Sequence, residues 1–362
     1  MHMNIAVVTC YHDPDYVRAR SLRAAVAAQP GVTPIIIKNS RKGLLRYPQV
    51  LWRMLVVKWR KKPAAFLITF RGQEILPLVL LIAGQTPVWF DEFIVPSAYA
   101  RAEKHKKTFA IVVKHFLARA GEPLYNFCLR RCDTILSDTL AHAELSARLV
   151  ELNLSHYLPV PVGTDEKLFK PSENFKKTDP FQIFYYSTGM QPLHGISYVL
   201  EAAERLAGDR RFQFLLVGGK KPMEQAATAS VARGARIEYR SWVPFAELPK
   251  IMRESGLCLG GPFGGTHQAE HVITSKSYQS LACGVPTVVG SNIATEPYFR
   301  DKINSLVVPQ KDVDALIASF VWAVENPREL ATIAEKGRRL YEREFSNEAL
   351  ARIIAPLVDM VR

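Results

Sequence analysis

From end to end the chain alternates short runs rich in β-branched and aromatic residues with stretches of helical periodicity, which restricts it to parallel sheets covered by helices. Sandwiches and helical bundles are excluded. In the first half the runs are Ile5 to Thr9, Pro34 to Lys38, Phe66 to Phe70, Val88 to Asp91, Thr134 to Ser137 and His156 to Val160. The second half repeats the scheme with Gln182 to Ser187, Gln213 to Gly218, Ile237 to Tyr239, Leu257 to Gly260, Thr287 to Gly290 and Leu306 to Val308. The expected fold is therefore α/β, with two doubly wound halves, and 362 residues suffice for both. Pro159, Pro161, Gly163, Pro171 and Pro180, with Lys176 and Lys177, read as the connection, so the boundary falls at residue 163. After Pro327 the periodicity predicts helices over Arg328 to Phe345 and Asn347 to Val361, with Ser346 capping the second.

A hydrophobic fraction of 48% is too high for a disordered chain. The apolar run Ile75 to Ala83, closed by Gly84, Gln85 and Pro87, falls short of the roughly 18 residues of a spanning helix. The start of the sequence lacks the pattern of a secretory leader, so a cytoplasmic location is expected. Cys10, Cys128, Cys132, Cys258 and Cys283 are scattered without a CxxC pair, which indicates reduced, mostly buried thiols and no structural zinc site.

Charge divides the halves. Residues 1–163 carry 22 Lys and Arg against 11 Asp and Glu, whereas the remainder carries 25 against 23. Between Asp15 and Glu74 there is no acid, yet Lys38, Arg41, Lys42, Arg46, Arg53, Lys58, Arg60, Lys61 and Lys62 lie there. Leu51, Trp52, Leu55, Val56 and Trp59 share this stretch at helical spacing, which suits either contact with an anionic membrane surface or packing on the domain's own sheet. No nucleic-acid signature accompanies it.

Two loops in the second half carry recognisable chemistry. Ser187-Thr188-Gly189-Met190-Gln191-Pro192-Leu193-His194-Gly195 links a strand to a helix, an arrangement that offers backbone N–H groups to a phosphate. Gly260-Gly261-Pro262-Phe263-Gly264-Gly265-Thr266 follows another strand and leads through His267, Glu270 and His271 to Ser275 and Lys276 at a helix start. Glycine at that density permits close backbone approach or sharp turns, and Lys276 adds a cation for a diphosphate. Asp13-Pro14-Asp15 and Asp312-Val313-Asp314 spell DxD, but the second reads as a helix start, and His105, His115, His142 and His156 lack metal-ligand spacing, so no metal site is expected.

The run Tyr278-Gln279-Ser280-Leu281-Ala282-Cys283-Gly284-Val285-Pro286-Thr287-Val288-Val289, followed by Glu296, Asn304-Ser305-Leu306-Val307-Val308-Pro309 and Arg343-Glu344-Phe345-Ser346, resembles the C-terminal half of family 4 (group 1) glycosyltransferases. Pro192-Leu193-His194-Gly195, Phe90-Asp91-Glu92-Phe93, the run from Cys132 to Thr139, and the stretches Val162 to Glu166 and Leu168 to Pro171 are similar to one branch of that family. The resemblance implies a GT-B fold: a Rossmann-like acceptor domain over 1–163, a Rossmann-like nucleotide-sugar domain over 164–345, and a last helix, 346–362, returning to the first domain. It implies a metal-independent, retaining hexosyltransferase with no cofactor, taking a UDP- or GDP-linked sugar. A glycan or lipid-linked acceptor at the inner membrane face matches the basic half, and nucleic acid is no partner.

By this resemblance the donor and its diphosphate fall to Gly189, His194, Gly195, Gly264, Gly265, Thr266, Ser275, Lys276 and Gln279. His271 and Gln279 stand where many members carry two glutamates eight positions apart. The catalytic positions are Asp91, at the end of the fourth strand, and His271. Arg41, Lys42, Arg46, Trp52, Trp59 and Arg71 fall to the acceptor or membrane side, with Arg18 a second phosphate contact. Two alternatives use the same architecture: a non-hydrolysing UDP-sugar epimerase, and a degenerate transferase supporting a partner, which the missing glutamates favour. A nicotinamide oxidoreductase is disfavoured, since no G-x-G-x-x-G follows a first strand.

Overall fold

The computed structural model describes residues 2–95, 121–171, 178–189 and 191–362. Met190, His105, His115, Lys176 and Lys177 lie outside them. The first unit is a parallel sheet of β1 (Met3–Thr9), β2 (Val32–Lys38), β3 (Ala65–Ile68), β4 (Val88–Asp91), β5 (Thr134–Ser137) and β6 (Tyr157–Pro159), in the order β2-β1-β3-β4-β5-β6. The second holds β7 (Phe181–Ser187), β8 (Phe212–Gly218), β9 (Ile237–Arg240), β10 (Leu257–Leu259), β11 (Thr287–Gly290) and β12 (Leu306–Val308), in the order β12-β11-β10-β7-β8-β9. Both are doubly wound sheets. Contacts divide the chain into Met1–Gly163 with Asn347–Arg362, and Thr164–Ser346.

Parallel pairing forces crossover helices onto both faces, so central strands read as unbroken apolar runs. β1 shows how successive side chains serve opposite layers. Ile5 and Val7 join Leu22 and Val26 of the Val17–Ala27 helix and Leu350, Ile354 and Leu357 of the Asn347–Asp359 helix. Ala6 and Val8 point the other way, toward Val50 and Met54 of the Arg46–Lys61 helix and Leu76 and Val79 of the Leu76–Ala83 helix. The last helix thus completes a layer of the first unit, and each fully buried Leu or Ile on it is worth about 1.5–3 kcal/mol.

Several expectations need adjustment. The third strand ends at Ile68, because Thr69 to Arg71 turn sharply and Arg71 adopts a left-handed backbone (φ 67°). In the Arg46–Lys61 helix the core-facing stripe is Val50 and Met54, with Tyr47, Leu51 and Val57 against it, while Trp52 and Trp59 point outward at 66% and 74% exposure. The helix predicted to end at Phe345 is α-helical over Pro327–Leu340 and widens to a π-turn over Tyr341–Phe345, which inserts Phe345 between Tyr278 and Tyr298. Both DxD runs have other employment: Asp15 pairs with Arg23 and Lys38 at 2.6 Å each, Asp312 caps the Val313–Glu325 helix, and Asp314 pairs with Arg205. The five cysteines are buried and free.

Candidate functional site

In each sheet the strand order reverses at one point, between β1 and β3 and between β7 and β10. Crossover loops there leave in opposite directions and open a crevice at the carboxyl ends of the strands. In the second unit the two loops at that point are the two singled out above. The first passes through a short turn, Pro192–His194, to Gly195 at φ +63° and then the Ile196–Arg205 helix. The second leaves β10 through Gly260 and reaches the Ser275–Ala282 helix.

The glycines seat these loops on each other. The Gly264 N–H donates to the Leu193 carbonyl at 3.0 Å. A Cβ on Gly264 would lie 1.9 Å from the Pro192 carbonyl oxygen, and one on Gly195 2.6 Å from the Gly264 nitrogen. Both residues therefore shape the crevice. Gly265 lies under the Lys311 side chain, Gly189 has open space around its Cα, and the Thr266 hydroxyl accepts from the Ala269 N–H at 3.1 Å.

This apposition brings Lys276 to His194. Lys276 sits in the first turn of the Ser275–Ala282 helix at 6% exposure, with its Nζ 3.3 Å from His194 Nδ1 and 5.3 and 5.8 Å from the ring centres of Tyr185 and Tyr186. Among the described residues no carboxylate pairs with it. Burial alone pulls its pKa down to about 7. Burial, then the adjacent lysine, pulls His194 down to about 3, so the imidazole is neutral at physiological pH. With Nδ1 accepting from the ammonium, the ring proton resides on Nε2. Two helix N-termini, a partly discharged lysine and a neutral histidine make a site short of one anion. Gln279, one helical turn on, is buried and accepts from the Tyr186 hydroxyl through Oε1, which leaves its amide hydrogens as donors.

His271 is buried, and its Nδ1 lies 2.8 Å from the His267 carbonyl oxygen. Beside it stands a grouping that reading along the sequence missed. One donor atom each from His267, Glu270 and His271 all lie within 4.8 Å of one another. The signal was the His-x-x-Glu-His spacing, which puts three ligands on one side of a turn.

In the first unit Asp91 closes β4. Its carboxylate is fully buried, paired with Arg18 at 2.8 Å and accepting from the Phe70 N–H at 3.2 Å. Arg18, 1% exposed, also donates to the Val160 and Pro161 carbonyls. Asp91 and Arg18 thus form a buried ion pair across the switch point, each the other's charge partner. Glu92 points to the other face, where it accepts from Tyr125 and Ser146 and burial raises its pKa to about 7. Arg46 is occupied by Glu74 at 3.0 Å. Arg41, Lys42 and Arg71 are exposed, Arg71 over the ring of Phe70, where Tyr11, Tyr16 and Phe93 complete an aromatic cluster.

Residues 197–355 match the family described as "Glycosyl transferase-like". The MMP alpha-(1->4)-mannosyltransferase of Mycolicibacterium hassiacum is 26% identical over 196 residues, 53% of this chain and 45% of that protein, so the chain matches about half of that relative's length. Sucrose-phosphate synthase from Thermosynechococcus elongatus superposes with a TM-score of 0.73 at 14% identity, over 99% of both chains. Anabaena HepE, solved in complex with UDP and with UDP-glucose, gives 0.71 at 12% identity over 99% of this chain and 100% of that one. The fold is that of these GT-B proteins.

Proposed function

We propose that the chain is a glycosyltransferase whose second unit binds a nucleoside-diphosphate sugar at the β7/β10 switch point and whose first unit receives a glycan or lipid-linked acceptor. The observation that carries this reading is Lys276: a buried cation held against a neutral histidine at two helix N-termini is stabilised by a bound dianion and destabilised without one. In the reaction the bond between the anomeric carbon and the diphosphate oxygen breaks, the acceptor oxygen bonds to that carbon, and the acceptor's proton leaves with the nucleoside diphosphate. Lys276, the His194 Nε2–H and the amides at the starts of the two helices meet the growing negative charge of the leaving group. The Gln279 amide donates to the ribose, and His271 stands at the sugar end. Retention at the anomeric carbon rests on the family resemblance. UDP and UDP-glucose in the similarly folded HepE support the donor class.

An anionic bilayer completes the proposal. Leu44, Trp52, Trp59 and Leu81 are 66–80% exposed on or beside the Arg46–Lys61 and Leu76–Ala83 helices, amid exposed Arg41, Lys42, Arg53, Arg60, Lys61 and Lys62. Large apolar side chains ringed by cations suit the interface of an anionic membrane. Among the described residues no helix is long and apolar enough to cross one.

A thermal-shift screen across UDP- and GDP-sugars tests the donor site, because a ligand specific for the folded state raises the melting temperature. The reading expects at least one donor to do so and Lys276→Met to abolish the shift. A donor that stabilises wild type and variant equally contradicts it.

A further inference from the structure

We infer that His267, Glu270 and His271 form a binding site for a divalent first-row transition ion of the zinc class, on the turn that follows Gly264-Gly265-Thr266. Three observations converge on it. The turn is capped, with the Thr266 hydroxyl accepting from the Ala269 N–H at 3.1 Å and its carbonyl from the Glu270 N–H at 3.3 Å, so side chains three and four apart project together. One donor atom from each residue lies within 4.8 Å of the other two, and the imidazole rings are 4.7 Å apart, inclined at 35°. The His271 ring is already oriented: Nδ1 donates to the His267 carbonyl at 2.8 Å, the outer-sphere contact that fixes the tautomer with Nε2 as the coordinating nitrogen.

Two imidazoles and one carboxylate select zinc, cobalt or nickel over magnesium or calcium, which require oxygen donors throughout. Metal–nitrogen bonds of about 2.1 Å in a tetrahedron place ligand atoms roughly 3.4 Å apart. The trio must therefore close by up to roughly 1.4 Å, a movement that the exposed side chains of His267 and Glu270 can supply. Three protein donors leave the fourth position to water or to an anionic oxygen, as in an open zinc site. The expectation of no metal-ligand set, drawn from the other histidines, overlooked this one.

The test is a titration of tag-free, chelator-stripped full-length protein with Co(II), followed by visible absorption, then displacement by Zn(II). One saturable equivalent is expected, displaced by zinc and unaffected by excess magnesium. His267→Ala should weaken binding by about tenfold or more, and Glu270→Gln should weaken it as well. His267 and Glu270 are exposed, so both variants keep the test valid if His271→Ala fails to fold. Absence of saturable uptake, uptake unchanged in His267→Ala, or displacement by magnesium would each overturn the site. Nucleotide binding measured on the stripped protein reports separately on Lys276, so failure of either idea leaves the other standing.

Discussion

Replacing Lys276 with methionine should make the ligand-free protein more stable while removing its affinity for a nucleoside diphosphate. The lysine is 6% exposed with no carboxylate partner among the described residues, and its pKa falls from 10.5 in the unfolded chain to about 7. A lysine with a depressed folded-state pKa penalises folding in full below that pKa, and the penalty is relieved as pH rises toward the unfolded value. At pH 7 the folded group is half protonated and the unfolded one wholly so, which corresponds to about 4 kcal/mol; at pH 9 about 2 kcal/mol remains. Methionine fills a similar volume without charge, so Lys276→Met should gain a few kcal/mol in urea unfolding at pH 7. Its advantage should shrink by about 2 kcal/mol at pH 9. Adding UDP or GDP should reverse the ranking, since only wild type has the cation that rewards the ligand. A variant less stable than wild type at pH 7, or a gap independent of pH, would refute the reasoning.

Four further outcomes are expected. Asp91→Asn should cost about 3–5 kcal/mol in the first unit by leaving buried Arg18 without its anion, measured by chemical unfolding; an inactive Asp91→Asn variant of undiminished stability would instead assign Asp91 a catalytic role. Gly264→Ala forces a Cβ to 1.9 Å from a backbone carbonyl, so it should separate the two loops and weaken nucleotide binding at least tenfold by calorimetry. Glu92 has a folded pKa near 7 against 4.5 unfolded, so stability due to this group falls as pH rises from 4.5 through 7; Glu92→Gln should flatten that dependence in thermal melts and be the more stable form at pH 8. Replacing Trp52, Trp59 and Leu81 together with serine should abolish flotation with anionic liposomes, whereas equal flotation of wild type with neutral and anionic vesicles would remove the membrane contact.

The architecture was legible because parallel strands buried on both faces leave continuous apolar runs, and four of the twelve, Val88–Asp91, Thr134–Ser137, Thr287–Gly290 and Leu306–Val308, both begin and end where the sequence said. Identifying the two loops of the second unit required only glycine density and strand–helix punctuation. What each residue does there was not legible. Glycine density at Gly195 and Gly264 left close ligand approach and sharp turns both open, and it could not show that their missing side chains permit a loop-to-loop contact, a relation between segments about seventy residues apart. Asp91 was read as catalytic from its place at the end of the fourth strand, whereas its pairing with Arg18 was not legible, because Arg18 is distant in sequence and the pairing depends on the β1-β3-β4 strand order. Which stripe of the Arg46–Lys61 helix packs on the sheet was left open by the sequence for a simpler reason. With apolar residues on most of its circumference, periodicity alone cannot say which stripe meets the sheet.

The central claim, that a diphosphate is the missing partner of Lys276, is tested most directly by calorimetric titration of the full-length protein with UDP and GDP, each compared with its monophosphate. The account predicts that one diphosphate binds, that the corresponding monophosphate binds at least tenfold more weakly, and that Lys276→Met erases the difference. Equal affinity for monophosphate and diphosphate, or a difference that survives in Lys276→Met, would contradict it.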